Sequence, residues 1–248
     1  MKNFLSCLKN IGIKSDDTVF FHIDAALISQ IISPKNINKN EFFINEIIKF
    51  FYPSGTIVMP TFTYSFTKNE NYDLKKTPSL TGLIPELFRN NKEVSRSSHP
   101  IFSVAINGKK TKNFLNCTNS DCFGENTTFD LMKKLNAKIV CLGCSLDRVT
   151  FAHYIEQQFN VKYRFFKNFS GHIVDKKKYH CDTSYFVRNT DIDSILSLDY
   201  LEQVAEQKGI LKKKIYGRFY IRSISSNDLF NLGMQMLSKD ENSLIKLN

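Results

Sequence analysis

The stretch from Ala137 to Phe159, AKIVCLGCSLDRVTFAHYIEQQF, constrains the fold more than any other part of the chain. Its apolar start, Ala137 to Leu142, predicts a buried strand, and Gly143 ends that strand. A helix follows, for which Asp147 is a suitable N-cap. Ligand clefts of α/β proteins lie beyond such strand ends. The pattern therefore predicts an α/β fold with its functional site at this junction.

Polar residues recur at every third position of the predicted helix. Thr150, His153 and Glu156 thus lie on one helix face. A histidine beside a carboxylate is a usual general base, and a neighbouring hydroxyl can donate to a developing oxyanion. On spacing alone, a helical H-x-x-E is more often a surface pair or a core contact than a catalytic pair. Its place after a strand end favours catalysis by these three residues.

The rest of the chain alternates between strand and helix patterns, and its second half is richer in strands. Strands are predicted over 18–23, 56–59, 101–106, 161–166, 170–174, 179–187 and 214–223, and helices over 4–11, 40–51, 83–89, 127–135, 191–207 and 226–237. The tail from Ser238 is expected to fray. We expect a mixed central sheet flanked by helices, an α/β/α arrangement. It would form one domain, 1–248, divisible into sub-lobes 1–160 and 161–248.

The segment 62–81 is polar, aromatic and long for a loop inside a compact domain. Loops of this length are usually functional or disordered. It leaves the predicted strand that ends at Met59, close to the proposed site. We expect it to close over substrate as a lid.

The chain carries 34 basic and 24 acidic residues, a formal net charge of +10. This balance favours an anionic ligand, but no nucleic-acid recognition motif is present, so nucleic acid is not an expected partner. No apolar stretch is long enough to insert into a membrane, and the start of the chain does not resemble a signal peptide. We expect a cytoplasmic protein whose six cysteines are free thiols.

Cysteine and metal chemistry remain alternatives. Cys141 and Cys144 have the C-x-x-C spacing of zinc or redox sites, without a second pair. Cys144 is also a candidate nucleophile near His153. A metal held by His22 and Asp24, together with the His153 and Glu156 pair, is conceivable, but no spacing selects it. No metal is therefore expected.

No glycine motif for phosphate binding is present. The sequence SRSSHP, residues 95–100, offers another means. Arg96 supplies a charged fork, and Ser97 and Ser98 supply hydroxyl donors. A polar turn before a proline is the alternative interpretation of this segment.

Five segments in register resemble the aminoglycoside 3-N-acetyltransferase family, and a sixth resembles its C-terminal part. They are VFFHIDAAL (19–27), SGTIVMPTFTYSF (54–66), SRSSHPIFSVAINGK (95–109), FGENTTFDLMKKL (123–135), IVCLGCSLDRVTFAHYIEQ (139–157) and GRFYIRSISSNDLFNLGMQML (217–237). The resemblance covers almost the whole chain. It implies an α/β fold around a mixed sheet and transfer of acetyl from acetyl-CoA to an amino group of a sugar ring.

The resemblance also assigns roles to residues. The family's T-x-x-H-x-x-E motif falls on the helical stripe described above, so His153 would be the general base, Glu156 would orient it, and Thr150 would lie beside the thioester or the substrate. Residues implied near CoA are His22, Asp24, Arg96, Ser97, Ser98 and His99. Residues expected to contact the acceptor are Tyr64, Glu125 and Asp147. The family's H-S-S-L segment is His-Ile-Asp-Ala in this chain, which lacks both serines. Asp24 takes the place of one serine, so the alternative to a CoA contact at this point is a carboxylate near the substrate amine.

The acceptor is the open question. Aminoglycosides are polycations and favour carboxylate-rich sites, whereas this chain is basic. We therefore expect N-acylation of a small-molecule amino sugar, sometimes nucleotide-linked, in surface glycan or polysaccharide biosynthesis. Aminoglycoside acetylation in antibiotic resistance is the second hypothesis. A non-catalytic protein that binds CoA or a nucleotide sugar is the third, and a homo-oligomer is compatible with each.

Overall fold

The computed structural model describes residues 1–192 and 194–247. The strands are β1 (Thr18–Ile23), β2 (Thr56–Pro60), β3 (Tyr72–Asp73), β4 (Ser95–Arg96), β5 (Val104–Gly108), β6 (Lys138–Leu142), β7 (Arg164–Val174), β8 (Lys178–Arg188), β9 (Ser194–Leu196), β10 (Lys212–Tyr216), β11 (Phe219–Ser225) and β12 (Ile245–Leu247). The helices are α1 (Lys2–Asn10), α2 (Ala25–Ile28), α3 (Lys39–Phe51), α4 (Leu83–Arg89), α5 (Thr111–Leu115), α6 (Thr128–Lys134), α7 (Phe151–Phe159), α8 (Asp199–Gln207) and α9 (Ser226–Lys239).

A mixed sheet forms the centre of the molecule, with strand order β10-β11-β6-β1-β2-β5-β4. Its three middle strands, β6, β1 and β2, are parallel, and Phe20 of β1 is level with Ile139 of β6 and Val58 of β2. The outer strands run antiparallel to their inner neighbours. The parallel strands are buried on both faces, which explains their continuous apolar sequences. Their carboxyl ends meet at one edge of the sheet.

Helices cover both faces of this sheet. Phe21 of β1 belongs to one hydrophobic cluster, together with apolar residues of α1, α3 and α4. Its neighbour Phe20 belongs to the other cluster, together with apolar residues of α6, α7, α8 and α9. Successive strand side chains point to opposite faces, so β1 supplies both cores. The predicted α/β/α arrangement is confirmed, while the single-domain boundary stays a prediction.

The second half departs from the predicted elements in four places, two of them in its strands. The two strands expected over 161–166 and 170–174 are one long strand, β7, which pairs along its whole length with β8. The strand expected over 214–223 is a hairpin, β10–β11, turned at Gly217 with φ +59°. Because L residues rarely adopt a positive φ, a glycine suits this turn. Part of each strand's polar and aromatic sequence faces solvent, which obscured the boundaries.

The predicted helix 191–207 is shorter than expected, and α8 begins at Asp199. Asp193 lies outside the described residues, and Ser194–Leu196 forms β9. The tail expected to fray instead pairs β12 with β9 over Ile245–Leu247. Long-range pairing of this kind is decided by tertiary contacts that local sequence patterns do not contain.

Two predictions in the first half also shift. The strand expected over 101–106 begins at Val104, because the amides of Ile101 and Phe102 instead donate to the His99 ring. The sequence also predicts Thr81 as the N-cap of the helix 83–89, but the N-cap of α4 is Gly82. Over residues 1–192 and 194–247, no helix is both long and apolar enough to cross a membrane.

Candidate active site

A cavity of about 440 Å³ opens at the carboxyl ends of β1, β2 and β6. Its size falls within the range typical of small-molecule sites. The segments after the three strands supply most of its lining, which consists of His22, Ile23, Asp24, Pro60, Phe62, Tyr64, Leu80, Thr81, Pro85, Cys144, Arg148 and Thr150. This is where ligands bind in open α/β sheets.

The chain turns sharply at the cavity rim. Asp24 follows β1 directly and caps α2, because its Oδ1 accepts a hydrogen bond of 2.9 Å from the Ala26 amide. Gly143 follows β6 with φ +81°, and a Cβ there would lie 3.2 Å from the Cβ of Asp24. A side chain at residue 143 would therefore strain the backbone and crowd Asp24.

The helical stripe predicted from the sequence is present on α7. A short 3-10 turn, Leu146–Arg148, follows Ser145, and α7 itself begins at Phe151. Thr150 is the residue before the helix and lines the cavity. His153 and Glu156 follow at successive turns on the same face. Asp147 lies in the 3-10 turn and does not cap α7.

His153, Glu156 and Arg164 form a buried charged cluster. The Nδ1 atom of His153 lies 2.6 Å from Oε2 of Glu156. Arg164 Nε lies 2.9 Å from the same carboxylate oxygen, and its Nη2 lies 3.0 Å from His153 Nδ1. Glu156 is fully buried, and a buried carboxylate requires compensating charge or hydrogen bonds. The Arg164 guanidinium supplies that charge.

This cluster fixes the protonation of its members. Burial raises the pKa of Glu156, but His153 and Arg164 outweigh it and hold that pKa below its usual value. Burial and the Arg164 charge together lower the pKa of His153, against the opposing effect of Glu156. Glu156 is therefore ionised and His153 is neutral at pH 7.

The geometry also selects the tautomer of His153. An ionised carboxylate can only accept, so the 2.6 Å contact with Glu156 places the ring proton on Nδ1. The Arg164 Nη2 atom can only donate and lies further from Nδ1, at 3.0 Å, so we assign it to the charge contact with Glu156 and not to a hydrogen bond with the ring. Nε2 then carries the lone pair and makes no hydrogen bond within residues 1–192 and 194–247. The side chain of His153 is 20% exposed. A neutral imidazole with a free, accessible Nε2 can accept a proton from a substrate.

Sequence reasoning did not identify Arg164. It begins β7, beyond the end of α7, and the left-handed Asn160 at φ +62° turns the chain back between them. Its Nη1 also donates to the carbonyl of Phe186 on β8, at 3.1 Å. The available signal was a single arginine within the apolar sequence VKYRFF. A charge in such a context needs a buried partner, but the sequence does not say which one.

Arg96 lies away from the cavity lining and organises the segment 62–81. Its Nη1 donates to the carbonyls of Thr77 at 2.6 Å and Leu74 at 3.2 Å, and its Nη2 donates to that of Thr61 at 2.7 Å. The guanidinium also stacks over Tyr72, 5.2 Å from the ring centroid. Backbone carbonyls thus occupy the guanidinium nitrogens of Arg96 that the sequence predicts as phosphate-binding donors.

The other polar residues of the SRSSHP segment also have internal partners. Ser97 Oγ accepts from the Val104 amide at 2.9 Å, and Ser98 Oγ accepts from Asn119 at 2.7 Å. The His99 ring accepts two backbone amides at Nδ1 and therefore donates from Nε2 to the Asp121 carbonyl at 3.1 Å. This segment holds the loops around the cavity in place.

His22 lines the cavity, but its ring is almost wholly buried. Burial lowers its pKa to about 3, so it is neutral. Its Nε2 is buried without a hydrogen-bond partner among the described residues. The ring packs edge-on against Phe20, 5.0 Å between centroids.

The three residues expected to contact the acceptor are spread apart. Tyr64 lines the cavity and adopts a positive φ of 54°. Glu125 is exposed before α6 and is not part of the lining. Asp147 Oδ1 accepts the Leu198 amide at 2.6 Å, which joins the turn before α7 to α8.

The cysteine pair lies at the end of β6. Cys141 is buried, and Cys144 lines the cavity with its Sγ 3.7 Å from the carbonyl of His22. A hydrogen bond from Cys141 lowers the pKa of Cys144 against the effect of burial. In the part of the chain that the structure describes, no group of three or more His, Cys, Asp or Glu side chains is arranged to hold a metal.

Comparison with known families agrees with this architecture. The model of a family described as aminoglycoside 3-N-acetyltransferase matches residues 34–238. The chain therefore belongs to the aminoglycoside 3-N-acetyltransferase family. Its predicted class, an N-acetyltransferase, is confirmed by this membership, and the non-catalytic hypothesis is set aside. No curated protein sequence matches the chain.

Solved structures share the fold at low sequence identity. The aminoglycoside acetyltransferase AAC(3)-IVa apoenzyme is 18% identical with a TM-score of 0.78, over 98% of this chain and 90% of that one. YokD from Bacillus subtilis is 22% identical with a TM-score of 0.76, over 94% and 91%. AAC-IIIb, in a binary complex with CoASH, is 17% identical with a TM-score of 0.78, over 96% of each chain.

Proposed function

We propose that this protein transfers the acetyl group of acetyl-CoA to an amino group of a sugar, with His153 as the general base. The observation that carries the proposal is the buried contact between His153 and Glu156, backed by Arg164. It leaves a neutral imidazole whose Nε2 is free to accept a proton. Thr150, on the same stripe, connects this histidine with the cavity.

The reaction follows from these positions. The amine nitrogen of the acceptor bonds to the acetyl carbonyl carbon while its proton passes to His153 Nε2. The bond between carbon and sulfur then breaks, and CoA leaves as a thiolate that takes the proton from the His153 imidazolium to become CoASH, which returns His153 to its neutral form. Glu156 stabilises the imidazolium formed in between, and the Thr150 hydroxyl is the donor we assign to the developing oxyanion. Binding both reactants at the same edge of the sheet lowers the reaction barrier through proximity.

Acetyl-CoA as the acyl donor fits the chain in three ways. The chain belongs to an acetyltransferase family, its neighbour AAC-IIIb binds CoASH, and its net charge of +10 favours a polyphosphorylated ligand. The described cysteines are all free thiols, which fits the reducing cytoplasm where we place the reaction.

The acceptor we favour is an amino sugar of surface glycan or polysaccharide biosynthesis, either free or nucleotide-linked. Neighbours of this fold bind polycationic antibiotics: AAC-VIa is bound to sisomicin, and a mutant of AAC(3)-IVa forms complexes with apramycin and with a gentamicin. In the cavity of this chain, Asp24 is the only carboxylate among the described lining residues. A single carboxylate suits one amine better than several.

The test is release of free thiol from acetyl-CoA with three acceptor classes: free amino sugars, nucleotide-linked amino sugars and aminoglycosides. We expect release with an amino sugar that is lost in His153→Ala, whereas CoA binding persists. His180→Ala, which removes an exposed histidine on β8, is the matched control and should retain turnover. Release with aminoglycosides alone would favour the resistance hypothesis. Full activity of His153→Ala would overturn the assignment of the base.

A further inference from the structure

Two opposite charges line the cavity without neutralising each other. Asp24 follows β1, and Arg148 lies between β6 and α7. Both contribute to the cavity wall, yet no ion pair joins them within residues 1–192 and 194–247. Among the described lining residues they are the only carboxylate and the only arginine or lysine.

Both groups retain capacity for a ligand. One oxygen of Asp24 accepts the Ala26 amide, which leaves the second oxygen and further lone pairs open. Arg148 is exposed, and its guanidinium makes no hydrogen bond or ion pair with the described residues. Arg96 differs, because its nitrogens are bonded to carbonyls of the 62–81 segment. Packing therefore does not account for the position of Arg148.

The two charges belong to the wall of one cavity, which also includes Cys144 and Thr150. Asp24 follows the end of β1 and Arg148 follows the end of β6, and these two strands are neighbours in the sheet. The carboxylate and the guanidinium also act in opposite directions on the pKa of the Cys144 thiol. Thr150, two residues after Arg148, joins this region to the stripe that carries His153.

We propose that the acceptor is an acidic amino sugar, whose amine or adjacent donors face Asp24 and whose carboxylate or phosphate is bound by Arg148. The inference rests on the proposed transfer to an amino sugar and specifies the class of acceptor. A guanidinium pairs with either anion through two parallel hydrogen bonds. One carboxylate and one guanidinium complement a molecule that carries both signs of charge. A polycation would leave Arg148 facing like charge.

The experiment compares three acceptors that share one ring: glucosamine, glucosamine 6-phosphate and 2-amino-2-deoxyglucuronic acid. We expect a higher kcat/KM for at least one acidic acceptor than for glucosamine. Arg148→Gln should lower the ratio of kcat/KM for the acidic acceptor to kcat/KM for glucosamine by about tenfold, because a charge-assisted hydrogen bond is lost. Lys112→Gln removes the same charge from α5 and should preserve the ratio.

Phosphates of the donor are the other source of an anion for Arg148. If Arg148→Gln raises KM for acetyl-CoA and leaves the acceptor ratio intact, the anion belongs to CoA, and the inference is overturned. An unchanged ratio together with an unchanged KM for acetyl-CoA would also overturn it. In both cases turnover of glucosamine would show that the proposed function itself stands.

Binding provides a readout that does not depend on turnover. By calorimetry, the wild-type protein should bind 2-amino-2-deoxyglucuronic acid more tightly than glucuronic acid, which lacks the amine. Asp24→Asn should reduce this difference, and Arg148→Gln should weaken both acids. If the wild-type protein binds 2-amino-2-deoxyglucuronic acid no more tightly than glucuronic acid, the role of Asp24 is contradicted. This result is decisive even if the protein turns over no acceptor.

Discussion

The Nδ1 atom of His153 lies 2.6 Å from the Oε2 atom of Glu156, one turn further along α7. Because Glu156 is fully buried, its charge acts on the imidazole without screening by solvent. Neither side chain belongs to the cavity lining, in which Thr150 is the residue of the same helix face. The fully buried carboxylate can therefore act on a substrate only through the partly exposed histidine. In the proposed mechanism, it holds the ring in one tautomer and stabilises the imidazolium.

Replacing Glu156 by Gln should separate chemistry from binding. We expect kcat to fall by about 10²-fold or more, since general-base catalysis contributes on this order, whereas KM for acetyl-CoA stays within roughly twofold. Steady-state kinetics measure both constants. Glu93→Gln removes an exposed carboxylate between α4 and β4 and serves as the control. A large rise in KM with normal kcat would mean that Glu156 positions substrate instead.

Charge changes around His153 should shift its titration in opposite directions. Arg164 acts to lower the pKa of His153, and Glu156 acts to raise it. Arg164→Met should therefore raise the pKa of His153, and Glu156→Gln should lower it further. The imidazole C–H resonances, followed by NMR against pH, report both shifts directly. Movement of the pKa in the same direction in both variants would contradict the proposed arrangement.

Stability should fall as the pH is lowered from about 6.5. Burial lowers the pKa of His22 to about 3 and that of His99 to about 4. Below the unfolded value of 6.5, the unfolded chain binds protons that these folded histidines cannot, so unfolding is favoured. Each histidine contributes about 1.4 kcal/mol per pH unit in that range, down to pH values of about 4 and 3.

Urea unfolding between pH 7 and 5 measures this dependence. His99→Gln should reduce the slope of unfolding free energy against pH, although the variant is less stable at every pH. His180→Gln, at an exposed position, is the control and should retain the wild-type slope. If both variants show the same slope as wild type, the buried histidines are not its source.

Arg96 should control the segment 62–81. Arg96→Gln removes donors to the carbonyls of Leu74 and Thr77, so we expect faster chymotrypsin cleavage within 62–81. Lys112→Gln should leave the cleavage rate unchanged. Adding acetyl-CoA and acceptor to the wild-type protein tests the lid hypothesis, which predicts slower cleavage. An unchanged rate would indicate a fixed wall of the cavity.

The first half of the fold was accessible from local patterns. β1 was predicted over its observed residues, and α3 lies within a residue of its predicted bounds, because buried apolar periodicity defines such elements. The N-cap predicted for α7, Asp147, was wrong, because the 3-10 turn comes first and Thr150 is the N-cap. The hairpins of the second half were harder to delimit. Strands such as β7 alternate poorly, and their pairing with β8 is a tertiary property. The β9–β12 pair joins segments about fifty residues apart, which no local signal reveals.

The site was predictable to a similar extent. The stripe on α7 follows from helical spacing, and the place of Asp24 follows from the end of β1. The partners of Arg96 and His99 are backbone atoms of distant loops, so sequence cannot separate a ligand-binding arginine from a loop-holding one. Arg164 reaches Glu156 only after the chain reverses at Asn160. Contacts of this kind depend on the folded path.

The convergence of three parallel strands at one edge has a consequence for how such a protein can diversify. The proposed base and its supporting charges lie on α7 and β7, whereas Asp24 and Arg148 lie on short connections outside those elements. On the proposed assignment, substitutions in the connections would change which acceptor is bound while the residues that move the proton are inherited intact. Acceptor choice and proton transfer would then evolve separately at one edge of the sheet.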